Sequence, residues 1–90
     1  MSENLTFSVI IPTREISAYL IEETIPKLLE QTFQDFEIII LPDKKTNKKF
    51  TKTKIIPTSP KTGPAEKRDL GVQKSRGKIL AFLDGDADPA

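Results

Sequence analysis

Cysteine and histidine are both absent from these 90 residues. Without cysteine there is no disulfide staple and no thiolate metal site. Without histidine, metal binding falls to carboxylates, and a histidine-based catalytic triad is excluded within the chain. Long apolar runs are missing too; none approaches the ~20 residues that span a bilayer as a helix. Charge of one sign is not in excess. The formal net charge of +1 argues against a nucleic-acid binder that works by bulk attraction. Residues 1–4 lack the basic and apolar regions of a signal peptide. A cytosolic location is therefore expected, or the cytosolic face of a membrane through segments outside this chain.

What is present suits one small folded domain. Hydrophobic residues make up 37% and charged residues 30%, which argues against wholesale disorder. The most loaded segment is Asp84-Gly85-Asp86-Ala87-Asp88, directly after the apolar run Ile79 to Leu83. Carboxylates at alternate positions repel one another and need a cation or open water. In an extended chain, residues two apart point to the same side. Asp84 and Asp86 could thus converge on one hard cation, Mg²⁺, Mn²⁺ or Ca²⁺. The end of a buried strand is where open α/β sheets bind ligands. A solvated turn is the bland alternative, since Asp and Gly are common turn formers. A calcium loop of the EF-hand type fits poorly, because Pro89 stands where that loop needs glycine and no twelfth-position Glu follows.

The order of elements follows from apolar patterning. Phe7 to Ile11 is a β-branched run closed by Pro12 and reads as a buried strand. Ser17 is a plausible helix N-cap. Ile16, Leu20, Ile21, Ile25, Leu28 and Leu29 recur at helical spacing, and Pro26 predicts a kink or two short helices. Phe36 to Leu41 is a second strand, apolar at nearly every position, which predicts a sheet covered on both faces. Residues 44–54 are rich in lysine and threonine, with little to bury except Phe50, and read as a solvated loop. They lack the interleaved aromatics that stack nucleic-acid bases. Lys54 to Pro57 is a weak third strand at an edge, where proline is tolerated.

A helix is expected from Pro64 to Ser75, with Ala65, Leu70 and Val72 turned inward and Gly77 as its C-terminal stop. Gly71 would permit close packing. Ile79 to Leu83 is the last strand. The sequence β-α-β-loop-β-α-β implies an α/β class, a Rossmann-like three-layer sandwich with a mainly parallel sheet. Three strand ends then share one edge: Pro12-Thr13-Arg14, Pro42-Asp43 and Asp84-Gly85-Asp86.

These residues carry a resemblance. Phe7 to Thr13 resembles the opening strand of family 2 glycosyltransferases, which have the GT-A fold. Gln31 to Ile40 resembles their segment leading into the second strand. Gly63 to Gly71 is similar to their helix with an Arg-Asn-x-Gly-like element, and Gly77 to Asp86 to the strand that leads into their Asp-x-Asp motif. The resemblance covers nearly the whole chain. It implies sugar transfer from a nucleoside diphosphate sugar, UDP or GDP type, with inversion at the anomeric carbon. Pro12, Thr13 and Arg14 would line the nucleotide pocket, and Asp43 would accept a hydrogen bond from a ring N–H of uracil or guanine. Arg68 falls on the family arginine near the nucleotide. Asp84 would sit near the ribose or metal, and Asp86 would hold the Mn²⁺ or Mg²⁺ that bridges the diphosphate.

The chain departs from the family at Pro42, where many members are acidic, and at Arg14, Asp69 and Ala87, where aromatic, Asn and Asp residues are common. The catalytic base lies well downstream in the family, so it is expected beyond Ala90. Residues 1–90 are therefore expected to be the donor-binding portion of a truncated GT-A domain, inactive alone. An uncovered sheet edge makes self-association an expectation as well. Two alternatives stand beside this reading: a nucleotidyltransferase-like domain, although no glycine follows the first strand in Pro12-Thr13-Arg14-Glu15, and a non-enzymatic α/β binding module. The aspartate pair of haloacid-dehalogenase-like phosphatases also follows a strand, but continues differently from Ala87-Asp88-Pro89.

Overall fold

The structure, a computed structural model, describes residues 5–85. Among these residues four parallel strands form one sheet in the order β3-β2-β1-β4. They are β1 (Leu5–Pro12), β2 (Phe36–Leu41), β3 (Thr53–Ile55) and β4 (Gly77–Phe82). All six residues of β2 are buried, as a run apolar at every position but Glu37 predicts for a strand enclosed on both faces. One face of the sheet packs Val9, Ile11, Phe36, Ile38 and Ile40 against Leu20 and Ile25, with Phe50 from the lysine-rich loop beside them. The other packs Ile10, Ile39 and Leu41 against Leu70, Leu80 and Ile56. Helix, sheet and helix thus make the three layers that the sequence implies.

The first helical layer is two short pieces. A π-helical turn over Leu20–Thr24 runs directly into α1 (Ile25–Leu29). The Ser17 hydroxyl accepts the Leu20 N–H at 3.2 Å, which is the expected cap. The Ile25 N–H reaches back five residues to the Leu20 carbonyl. Pro26 follows immediately and has no N–H to offer, so the wider winding sits where the α-helical ladder is interrupted.

The second layer is α2 (Pro64–Lys74). Pro64 occupies its first turn, and the Glu66 carboxylate reaches back to accept the Gly63 N–H at 2.9 Å. Its inward face differs from the expectation: Lys67 and Gly71 are the buried positions, while Ala65 and Val72 are exposed. The cause is the close approach at Gly71. A Cβ there would lie 2.6 Å from Ile10 Cγ2, so this position must face the sheet, and Lys67 lies one turn away on the same stripe. Gly77 likewise has a different role from a helix stop. The helix ends at Lys74, and Gly77 opens β4 where a Cβ would lie 2.4 Å from the Phe7 carbonyl carbon and Ser8 N.

A buried polar cluster ties β1, β2 and β4 together near the starts of β2 and β4. Ser8 donates its hydroxyl to Glu37 at 2.6 Å and accepts the Gly77 N–H at 2.7 Å. Glu37 also accepts the Arg76 N–H at 2.6 Å. Burial pushes the Glu37 carboxyl up, but the Ser8 and Arg76 hydrogen bonds and the charges of Lys54 and Arg76 outweigh it, leaving the group below its ordinary value. The outer strand β4 is the least covered, with Ile79 51% and Phe82 47% exposed.

Candidate functional site: a cleft at the strand tips

The site begins where the backbone ladder outlasts the strands. Thr13 N–H donates to the Leu41 carbonyl at 3.2 Å, and Asp43 N–H donates to the Arg14 carbonyl at 3.0 Å. The tips of β1 and β2 are therefore locked side by side. On the other flank, Leu83 N–H donates to Ile10 and Gly85 N–H to Pro12, at 3.0 and 3.1 Å. These bonds carry Asp84 to the end of β1. The loop into α2 is fastened at Thr58, whose N–H and hydroxyl both donate to the Pro42 carbonyl, at 2.8 and 2.6 Å.

Between these tips and the start of α2 lies a cleft of about 420 Å³, within the usual range for small-ligand sites. Pro12, Thr13, Arg14, Asp43, Arg68 and Asp84 all line it. Every candidate nucleotide residue named from the sequence thus reaches one cavity. Asp86, the other candidate metal ligand, lies outside the described residues. Arg68 forms no ion pair with Glu66 or Asp69 among the described residues; its charge is exposed at the cleft wall.

Lys67 is the residue that sequence reasoning missed. Its ammonium is buried, donating to the Thr13 carbonyl at 2.7 Å and to Asp43 Oδ1 at 2.5 Å. A lysine among Glu66, Arg68 and Asp69 reads as part of a charged surface. The available signal was Gly71, which marks the sheet-facing stripe on which position 67 also falls.

Lys67 and Asp43 neutralise each other, so among the described residues Arg14, Lys61 and Arg68 against Asp84 give the cleft walls a cationic excess. The N-terminus of α2, at Gly63 and Pro64, opens onto the same space. Both features favour an anionic ligand. A second cleft of about 580 Å³ lies on the other side of Arg14 and Asp43, bordered by Lys44, Lys45 and Lys48, but neither Asp84 nor α2 contributes to it. Among the described residues there is no group of three acidic, His or Cys side chains around a common point. One or two carboxylates completed by phosphate oxygens is a sufficient donor set for Mg²⁺ or Mn²⁺, and Asp84 is the carboxylate of the cleft that Lys67 does not engage.

The parallel α/β sheet thus carries its cleft, with a carboxylate after the last strand, at the strand-tip edge where open sheets of this class bind ligands. Residues 8–89 match the family described as Glycosyl transferase family 2, and the chain belongs to that family. It is 32% identical over 89 residues to an uncharacterized glycosyltransferase of Haemophilus influenzae, covering 88% of this chain and 35% of the relative. An uncharacterized glycosyltransferase of Rickettsia bellii is 40% identical over 87 residues, covering 88% and 12%. Glycosyltransferase GlyG of Streptococcus pneumoniae is 25% identical over 89 residues, covering 88% and 29%. The chain spans about a third or less of the length of these curated relatives. Among the described residues no helix is long and apolar enough to cross a membrane.

Proposed function

We propose that this chain is the donor-binding portion of an inverting glycosyltransferase and that the strand-tip cleft takes a nucleoside diphosphate sugar. The observation that carries the proposal is the convergence of Asp43 and Asp84, 41 positions apart in sequence, on one cationic cavity. The diphosphate would lie against the α2 N-terminus, Arg14 and Arg68. Asp43 is an acceptor-only group when ionised, which suits the ring N–H of uracil or guanine and so a UDP or GDP donor. Pro12 and Thr13 form the floor at the β1 tip.

Asp84, with Asp86, would hold a Mn²⁺ or Mg²⁺ ion. Such an ion neutralises charge that builds on the diphosphate as it leaves the sugar. In the full reaction the sugar–phosphate bond breaks, the acceptor oxygen bonds the anomeric carbon from the opposite side, and a carboxylate removes the acceptor proton. That base is expected downstream of Ala90. The proposed location is cytosolic or at the cytosolic face of a membrane, with which a cysteine-free chain is compatible.

Self-association is part of the proposal. It is supported by β4, which borders no further strand among the described residues and exposes Ile79, Phe82 and Leu83.

Calorimetric titration of the chain with UDP, GDP and their sugars, with and without Mn²⁺, tests the donor site. Metal-dependent binding that Asp84→Ala and Asp86→Ala each weaken is the expected result. Absence of saturable binding would remove the cleft as a donor site, and unchanged metal-dependent affinity in Asp86→Ala would remove Asp86 as a ligand.

A further inference from the structure

We propose that Lys67 is a positioning residue that sets base selectivity by fixing the Asp43 carboxylate; this rests on the nucleotide-binding reading above. Taking an ammonium out of water is expensive, and a buried ion pair is often no more stabilising than an apolar side chain of similar size. An apolar residue at position 67 would pack α2 on the sheet without that cost. What the ammonium adds is geometry.

Lys67 is held at both ends by rigid parts. Its backbone belongs to α2, pressed on Ile10 and Leu41 through Gly71. Its Nζ is pinned by the Thr13 carbonyl, itself locked by the Thr13 N–H bond to Leu41. Asp43 Oδ1 takes a second donor of the same ammonium. A carboxylate otherwise free to rotate about its terminal bond is thereby held in one orientation, with Oδ2 left as acceptor. A lysine ammonium carries three donors, and the third has no acceptor among the described residues.

Lys67 and Asp43 both line the cleft, which therefore offers a fixed acceptor beside a donor. Uracil and guanine present a ring N–H flanked by a carbonyl, which matches both groups at the ring. Cytosine and adenine carry no hydrogen on the corresponding ring nitrogen. The pair thus selects bases with an N–H next to C=O, whereas a mobile carboxylate would select weakly. Donor selectivity of this kind comes from polar groups that a wrong base leaves unpaired.

The test is titration of the chain with UDP, GDP, CDP, ADP and pyrophosphate in the presence of Mn²⁺, for the natural sequence and for Lys67→Met. The natural chain is expected to prefer UDP or GDP over CDP and ADP by on the order of 10- to 100-fold. Lys67→Met is expected to bring that ratio to within about threefold while pyrophosphate binds as before. A purely structural lysine would instead weaken all five ligands together, in step with a lower melting temperature; that result overturns the proposal, as does an unchanged preference in Lys67→Met. A natural chain that binds nucleoside diphosphates without preference also overturns it. A chain that binds none overturns the nucleotide reading beneath it. If Lys67→Met does not fold, Lys67→Gln keeps a donor for the Thr13 carbonyl without the charge and is judged by the same ratio.

Discussion

Gly85 donates its backbone N–H to the Pro12 carbonyl at 3.1 Å, so the chain just past β4 is stitched to the tip of β1. A Cβ on Gly85 would lie 2.6 Å from Thr13 Cβ and 3.0 Å from Ile11 Cγ2. Thr13 and Ile11 are both buried and cannot step aside. Gly85→Ala is therefore expected to cost about 1–3 kcal/mol through overpacking and to move Asp84 away from the cleft. Urea melts should register the first effect. Titration with nucleoside diphosphate should register the second as a loss of metal-dependent affinity with metal-independent binding less changed.

Asp43→Asn keeps the shape of the side chain and can still offer Lys67 an oxygen. The amide nitrogen then faces the cleft where the second carboxylate oxygen stood, and an acceptor becomes a donor. Affinity for UDP and GDP should fall by on the order of 10- to 100-fold, with pyrophosphate affinity nearly unchanged. Calorimetry on the variant distinguishes this from a general collapse of the site.

Glu37 gives the fold an acid limb. Its carboxyl is held below the ordinary value of 4.5 in the folded chain. A depressed folded value means that stability is fully present above the unfolded value and is lost as pH falls through the folded one. The loss should begin near pH 4.5 and deepen below it. Glu37→Gln disrupts the contacts with Ser8 and Arg76 and should cost about 1–3 kcal/mol at neutral pH. It should also flatten the dependence on pH below that point, which denaturant midpoints measured across the acid range will show.

β4 borders no further strand among the described residues, which predicts concentration-dependent association. Ile79 is half exposed on that strand, and a charge there opposes edge-to-edge pairing. Sedimentation of the natural chain should show species larger than the monomer at high concentration, and Ile79→Lys should shift them toward monomer. A natural chain that sediments only as monomer would remove this part of the account.

Much of this architecture was legible because strong local signals agreed with the final packing. The largely apolar runs at Phe7–Ile11 and Phe36–Leu41, each interrupted by a single polar residue, became the buried central strands, Ser17 caps its helix through the Leu20 N–H, and Pro64 begins α2. The convergence of the strand tips followed from parallel connectivity. What stayed hidden depended on distances between segments far apart in sequence. Gly71 and Gly77 serve close approaches to Ile10 and to the β1 backbone, which no local pattern reveals. The stripe facing the sheet is set by Gly71, so Ala65 and Val72 point outward despite being apolar. Lys67 reads as a surface charge until its partners Thr13 and Asp43, 54 and 24 positions away, are brought to it.

The most direct test of the metal-assisted donor cleft is paramagnetic broadening of backbone amide signals by Mn²⁺ in the presence of UDP or GDP. The account predicts that Thr13, Asp43, Gly63 and Gly85 broaden together, that the effect requires the nucleotide, and that Asp84→Ala abolishes it. Broadening centred on Lys44 to Lys48 or on Glu37, or none at any site, would contradict it.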